Sequence, residues 1–308
     1  MRFCHTPIAN RKVKMKIAII GLGLIGGSLA KAFKKYTDYE IIGYDRDENV
    51  LNKALFEKSI DGVFCGDFED VDIVILGLFP EAAINFVREN AEKIGKDTIV
   101  ADCGGVKEKV CLGVKEFADK YGFTFIGMHP MAGLEQFGYD HSKAELFADA
   151  SLVLTPYSKS EQSKIRKLSD CMLKTGFSRI QMSTPKEHDK VIAYTSQLAH
   201  IVSSAYIKSP TAMRHAGFSA GSFRDMTRVA HLNEYMWTDL FMDNYDNLAE
   251  EIDALILRLS EYSEALKRKD GNTLFELLKD GREKKDLSDE LCGNEHRLKV
   301  PLKGACGI

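Results

Sequence analysis

The 308-residue chain predicts an α/β protein: a doubly wound parallel sheet in its first part, followed by a domain made only of helices. Short apolar runs alternate with helical patterns from residue 16 to about residue 182. The first run leads straight into a glycine-rich turn and a helix. After Ser183 no strand pattern remains, and apolar residues recur at helical spacing instead.

Residues 1–14 have no periodicity, and a disordered extension is expected there. Arg11, Lys12, Lys14 and Lys16 precede an apolar stretch reaching Ala30, the outline of a secretory signal. Glycines interrupt that stretch at phosphate-loop spacing, and strand–helix alternation continues well past it. The signal reading is therefore set aside.

The run Ile17, Ala18, Ile19, Ile20 reads as a buried strand, followed by Gly21, Gly23 and Gly26 with Leu22, Leu24 and Ile25 between them. In a GxGxxG turn one glycine makes the tight bend, one admits a pyrophosphate and one lets helix and strand pack closely. The phosphates then sit on the amides at the helix start. A second strand, EIIGYD, ends in Asp45, about twenty residues beyond Gly26, where a carboxylate can grip ribose hydroxyls. Strand, turn, helix and acid in this order predict a Rossmann-type domain over residues 15–182 that binds NAD. Asp45 would repel a 2′-phosphate, although the adjoining Arg46 could accommodate one. Further strands are expected at 72–77, 98–102, 123–128, 151–155 and 178–182, with helices at 80–93 and 160–175 between them. Ligands of such sheets lie at the carboxyl ends of the strands.

Thr184-Pro185-Lys186-Glu187 is a capping box with proline at the first helical position. It opens a helical domain expected over residues 183–290. Leu248, Ile252, Leu255, Leu259, Tyr262 and Leu266 are spaced by four and three, the stripe of a helix packed along its length. That stripe serves either a dimer interface or the core of one subunit. From Leu291 the chain loses periodicity and is expected to be a loose tail.

Net charge is −3 and 44% of residues are hydrophobic. This balance offers no nucleic-acid or membrane footprint, and no uninterrupted apolar segment approaches the ~20 residues that span a bilayer. Seven cysteines without a CxxC pair or ligand spacing point to reduced thiols in a cytoplasm, with no metal site.

Chemistry concentrates at four places. His129 follows the strand FTFIGM directly, at the cofactor edge of the sheet, where an imidazole can accept and return a proton. Asp102-Cys103-Gly104-Gly105 ends another strand, with Lys107 read as surface decoration of the next helix. Gln197, His200 and Ser204 share one helix face, which turns either to solvent or to a site. Asp225 and Arg228, three apart, make either a surface ion pair or an arginine held ready for a carboxylate. Trp237 is the single tryptophan, by default a core aromatic.

Together the segments GLGLIGGS, HPMAGLEQFGYDHSKAELFADA, HDKVIAYTSQLAH and SFRDMTRVA followed by MWTDL resemble the prephenate dehydrogenase family of tyrosine biosynthesis. The resemblance runs from about residue 15 to 278. It implies NAD-dependent oxidative decarboxylation of prephenate to 4-hydroxyphenylpyruvate, with His129 taking the ring-hydroxyl proton. It assigns Arg228 to a substrate carboxylate and His200 with neighbouring polar groups to the remainder, among them Gln197 and Trp237. Glu135 and Asp225 become the acids that position the arginine. It further implies a homodimer through the helical domain.

Two positions depart from the family pattern. Gly105 stands where a serine is common, leaving the group that orients His129 unidentified. Gln197 stands where a histidine is common. The rival readings are arogenate (cyclohexadienyl) oxidation, a dehydrogenase of β-hydroxy acids or imines on the same architecture, and an NADH-sensing regulator without chemistry. The β-hydroxy acid enzymes commonly use a lysine of the helical domain, whereas the candidate here is His129 at the sheet edge, and His129 with Arg228 speaks against the regulator.

Overall fold

The computed structural model describes residues 14–134, 136–156 and 162–297, with side chains to residue 291. Its most apolar runs form the centre of a sheet. Lys16–Ile20 is β1, Ile73–Leu76 is β4 and Ile99–Asp102 is β5, and beyond Lys16 every residue in them is buried. Runs of this kind need cover on both faces. Glu40–Tyr44 (β2), Gly62–Val63 (β3), Thr124–Pro130 (β6), Ser151–Pro156 (β7) and Arg179–Met182 (β8) complete eight strands in the order β3-β2-β1-β4-β5-β6-β7-β8. The order reverses between β1 and β4, which opens the crevice where a doubly wound sheet takes its ligand.

Side chains alternate across a strand, and β1 divides accordingly. Ile17 and Ile19 join a core beneath Leu24–Tyr36 (α1) and Gln162–Leu173 (α5), with Leu29, Phe33, Leu168 and Met172. Ala18 and Ile20 join a second core beneath Pro80–Asn90 (α3) and Glu108–Tyr121 (α4), with Ile84, Val87, Val110 and Val114. Glu48–Phe56 (α2) connects β2 to β3. Truncating Ile19 to alanine would cost about 2–5 kcal/mol, the usual range for a full cavity in such a core.

All seven expected strands form. The short β3 is an addition, since two residues carry no readable pattern. The sheet is parallel with one exception: β7 runs antiparallel to β6, His129 pairing with Val153. The segment between them contains no crossover helix, and an antiparallel return needs none. The helix α5 then restores a parallel crossover to β8.

Helices follow: Pro185–Ile192 (α6), Ala199–Ile207 (α7), Gly221–Thr227 (α8), Glu234–Met242 (α9), Tyr245–Lys267 (α10) and Gly271–Arg297 (α11). Thr184 caps α6, its Oγ1 accepting from the Glu187 amide at 3.2 Å. The change to helical structure falls near Ser183, whereas the chain's contacts part between Leu248 and Ala249. In the second unit the Tyr262 hydroxyl donates to the Leu277 carbonyl at 3.2 Å, and Ala265 is fully buried. The tail expected to be loose from Leu291 is instead helical as far as Arg297, as α11 continues through it. The expected N-terminal extension lies outside the described residues but for Lys14. Among the described residues no helix is long and apolar enough to cross a membrane.

Candidate active site

The loop leaving β1 tests each glycine of the motif separately. Gly21 has φ +90°, and a Cβ there would lie 2.6 Å from the Gly77 carbonyl oxygen. At Gly26 a Cβ would come within 1.9 Å of the Gly21 oxygen, so only glycine lets α1 pack this close. A Cβ on Gly23 would meet nothing within 4 Å. Open space at this glycine leaves room for the close approach of a pyrophosphate. Gly23 caps α1 without any side-chain acceptor, so no side chain competes for the first amides, those of Leu24 and Ile25.

Asp45 stands just beyond β2. One carboxylate oxygen accepts from the Leu22 amide at 2.8 Å and the other from the Asp47 amide at 3.0 Å. The carboxylate is thus pinned beside the glycine loop, and the adjoining Arg46 is exposed. These residues fit NAD: an open cradle at Gly23, uncapped amides and an anchored acid for the ribose.

His129 lies in β6 at the carboxyl end of the sheet, and the group that orients it is His188. Their Nδ1 and Nε2 atoms are 2.9 Å apart. His188 Nδ1 lies 2.7 Å from Asp189 Oδ1. The Asp189 carboxylate also accepts the Lys107 amide at 2.7 Å and the Glu108 amide at 2.8 Å, at the start of α4. A carboxylate so placed accepts a hydrogen bond from His188 Nδ1–H, which leaves the lone pair on His188 Nε2. His129 Nδ1 then donates to it, and His129 Nε2 keeps the lone pair that a general base needs. Burial, the His188 ring and the Lys107 ammonium hold His129 well below the ordinary imidazole value of 6.5. It is neutral at pH 7 and ready to accept a proton.

His188 and Asp189 were not among the sequence candidates. The available signal was an adjacent histidine and aspartate in the first turns of a strongly capped helix. A serine in place of Gly105 would meet only Leu240 side-chain carbons, at 3.6 Å and beyond, so the glycine is no steric necessity. Lys107 is no surface decoration. It is fully buried, ion-paired with Asp102, and its Nζ donates to the Met128 carbonyl at 3.0 Å.

The substrate-binding candidates gather on α7, α8 and α9. A π-helical segment, Ala193–Leu198, separates α6 from α7. Its wider turn rotates the faces expected of a regular helix, so Gln197 is buried and Val191 exposed. The Gln197 amide donates to the Leu240 carbonyl at 3.0 Å and accepts from Asn244 at 2.7 Å. This corrects its expected place in a polar face with His200: it ties α9 to the π turn. His200, near the start of α7, has Nδ1 3.1 Å from the Val229 carbonyl oxygen and its ring centroid 4.0 Å from that of Trp237. Trp237 is half-buried and also packs on Phe241. Arg228 is exposed at the start of the short turn Arg228–Ala230, so His200 grips the residue next to it.

Asp225 and Arg228 are both exposed, Asp225 within α8 and Arg228 at the start of the short turn that follows it. Glu135 lies outside the described residues. Gly105 faces Leu240 of α9, which brings α9 over the turn between β5 and α4. Among the described residues no three acidic, histidine or cysteine side chains converge on a metal position.

Two family models match the chain: "Prephenate dehydrogenase, nucleotide-binding domain" over residues 29–181 and "Prephenate dehydrogenase, dimerization domain" over residues 184–280. Cyclohexadienyl dehydrogenase of Zymomonas mobilis is 35% identical over 281 residues, covering 86% of this chain and 93% of its own. Prephenate dehydrogenase of Bacillus subtilis is 30% identical, covering 89% and 76%. Among solved structures, the prephenate dehydrogenase of Aquifex aeolicus in complex with hydroxyphenyl propionate and NAD+ superposes with a TM-score of 0.79 at 26% identity, over 89% of this chain and 98% of that one.

Proposed function

This chain belongs to the prephenate dehydrogenase family, and on that premise we propose that it oxidises and decarboxylates prephenate to 4-hydroxyphenylpyruvate. The observation that carries the reading is the His129–His188–Asp189 series at the carboxyl end of β6, on the sheet edge that also presents the Gly21–Gly26 loop and Asp45. The Gly21–Gly26 loop and Asp45 would hold NAD+, whose nicotinamide would accept the hydride from the ring carbon.

His129 Nε2 takes the proton of the ring hydroxyl, which raises electron density on the carbon that gives up hydride. The proton rests on His129, whose Nδ1 stays bonded to His188, and returns to the ring oxygen as the carboxylate leaves. Loss of the ring carboxylate as carbon dioxide makes the ring aromatic. Arg228 binds a substrate carboxylate through its planar fork, while His200 and Trp237 shape the wall beside it. Gln197 acts indirectly, by holding α9. The assay is NADH formation from prephenate and NAD+, with arogenate in parallel. No NADH from prephenate would end the reading, and a tenfold preference for arogenate would shift it to the cyclohexadienyl alternative.

The chain works as a homodimer through its helical part. The match of residues 184–280 to a dimerization domain supports this. So do Leu259, Leu266, Phe275 and Leu278, each more than half exposed in the second unit; a surface of that kind is costly unless covered. Leu259→Asp with Leu266→Asp should release monomers in sedimentation velocity. A cytoplasmic setting accords with its scattered free thiols.

A further inference from the structure

We propose that Lys107, with its partner Asp102, is a positioning residue for His129, fixing both the backbone that carries the base and the electrostatic field in which the base works. The inference rests on the reading of His129 as the base.

Lys107 reaches His129 from two directions. Its Nζ donates to the Met128 carbonyl at 3.0 Å, the peptide immediately before His129. Its backbone amide donates to Asp189 Oδ1 at 2.7 Å, the same oxygen that faces His188 Nδ1. One residue therefore anchors β6 at the base and the carboxylate at the far end of the histidine series. The lysine stem runs alongside Gly127: a Cβ there would lie 3.2 Å from Lys107 Cδ, while its closer approaches, 2.2 Å to Thr155 Oγ1 and 2.9 Å to Cys111 Sγ, are what require a glycine. Asp102 completes the arrangement, bonding the Lys107 ammonium and the Gly104 amide, the latter at 2.9 Å.

A buried ion pair contributes little net stability compared with well-packed apolar groups, so packing alone gives no reason for a lysine here. The charged and titratable groups around His129 are His188 and Asp189 from α6, and Asp102 and Lys107 from the end of β5 and the entry to α4. The nearby thiols of Cys103 and Cys111 are pushed up by burial and carry no charge. Among the described residues Lys107 is thus a cation acting on His129, and its field favours neutral His129.

The test is the His129 titration in the full-length protein without substrate, followed by NMR and assigned by its loss in His129→Asn. Two variants remove the cation: Lys107→Met with Asp102→Asn, and Lys107→Met alone. In whichever folds, judged by thermal melting and NAD+ binding, the midpoint should rise by about 1 pH unit. The acid limb of kcat/KM for prephenate should move with it. Lys107→Arg should return the midpoint close to the original value. A folded variant lacking the lysine with an unmoved midpoint overturns the proposal, whereas a shifted midpoint in the variants together with a parent enzyme inactive on prephenate overturns only the substrate assignment.

Discussion

His129 Nδ1 lies 2.9 Å from His188 Nε2, and His188 in turn abuts Asp189 at 2.7 Å. The acid fixes the tautomer of the second ring, and the second ring fixes that of the first. A base two residues removed from its carboxylate keeps its outer nitrogen free for substrate.

Asp189→Asn should break this order. An amide can donate where the carboxylate only accepts, so His188 is free to turn its lone pair the wrong way. The comparable change in serine hydrolases costs about 10⁴-fold in kcat, and a fall of at least ~10²-fold is expected here. NAD+ affinity should hold. Two α4 amides lose a charged acceptor as well, which lowers stability by about 1 kcal/mol. Equal kcat in the variant and the parent would remove Asp189 from the series.

His129→Asn should lower kcat by at least ~10²-fold, the loss expected of a general base, while NAD+ binding survives. Near-normal turnover would exclude His129 from proton transfer.

The same residue sets a pH dependence of stability. Its folded value is depressed below 6.5, so between the two values the unfolded chain binds more protons than the folded one. Stability contributed by His129 is therefore present above about pH 6.5 and is lost as pH falls from there towards the folded value. Melting temperature should decline over that interval, and less so in His129→Asn. A decline of equal size in both proteins would assign it to other groups.

Arg228→Ala should raise KM for prephenate about tenfold or more, on the order of 1.4 kcal/mol of lost binding, with a smaller change in kcat. Lysine should rescue poorly, because a point charge does not reproduce the planar fork. Unchanged KM in the alanine variant would return Arg228 to the ordinary surface.

Asp45, held by the Leu22 and Asp47 amides, is placed to grip ribose hydroxyls if the proposed cofactor site holds, and should repel a 2′-phosphate. NAD+ should exceed NADP+ in kcat/KM, and Asp45→Ser should narrow the gap. Equal use of both cofactors by the parent enzyme would mean that Arg46 outweighs the carboxylate.

The sequence by itself determined what local pattern can encode. Apolar runs such as residues 73–76 and 99–102 announced buried strands, and Gly21, Gly23 and Gly26 announced a turn whose steric demands the structure repeats residue by residue. The place of His129 at the carboxyl end of the sheet was legible, because it directly follows an apolar strand pattern. The tertiary structure alone decided its partner, since His188 is 59 residues further along the chain and nothing in a histidine marks what it will meet. It also decided that Lys107, polar and near a helix start, is buried against Asp102. Gln197 turned inward because the π segment shifts the register that a regular helix would keep. The strand β7 ran against its neighbour because the connection before it lacks a crossover helix. Periodicity and turn chemistry act over a few residues and leave a trace in the sequence, whereas these contacts arise from chain segments meeting across the fold.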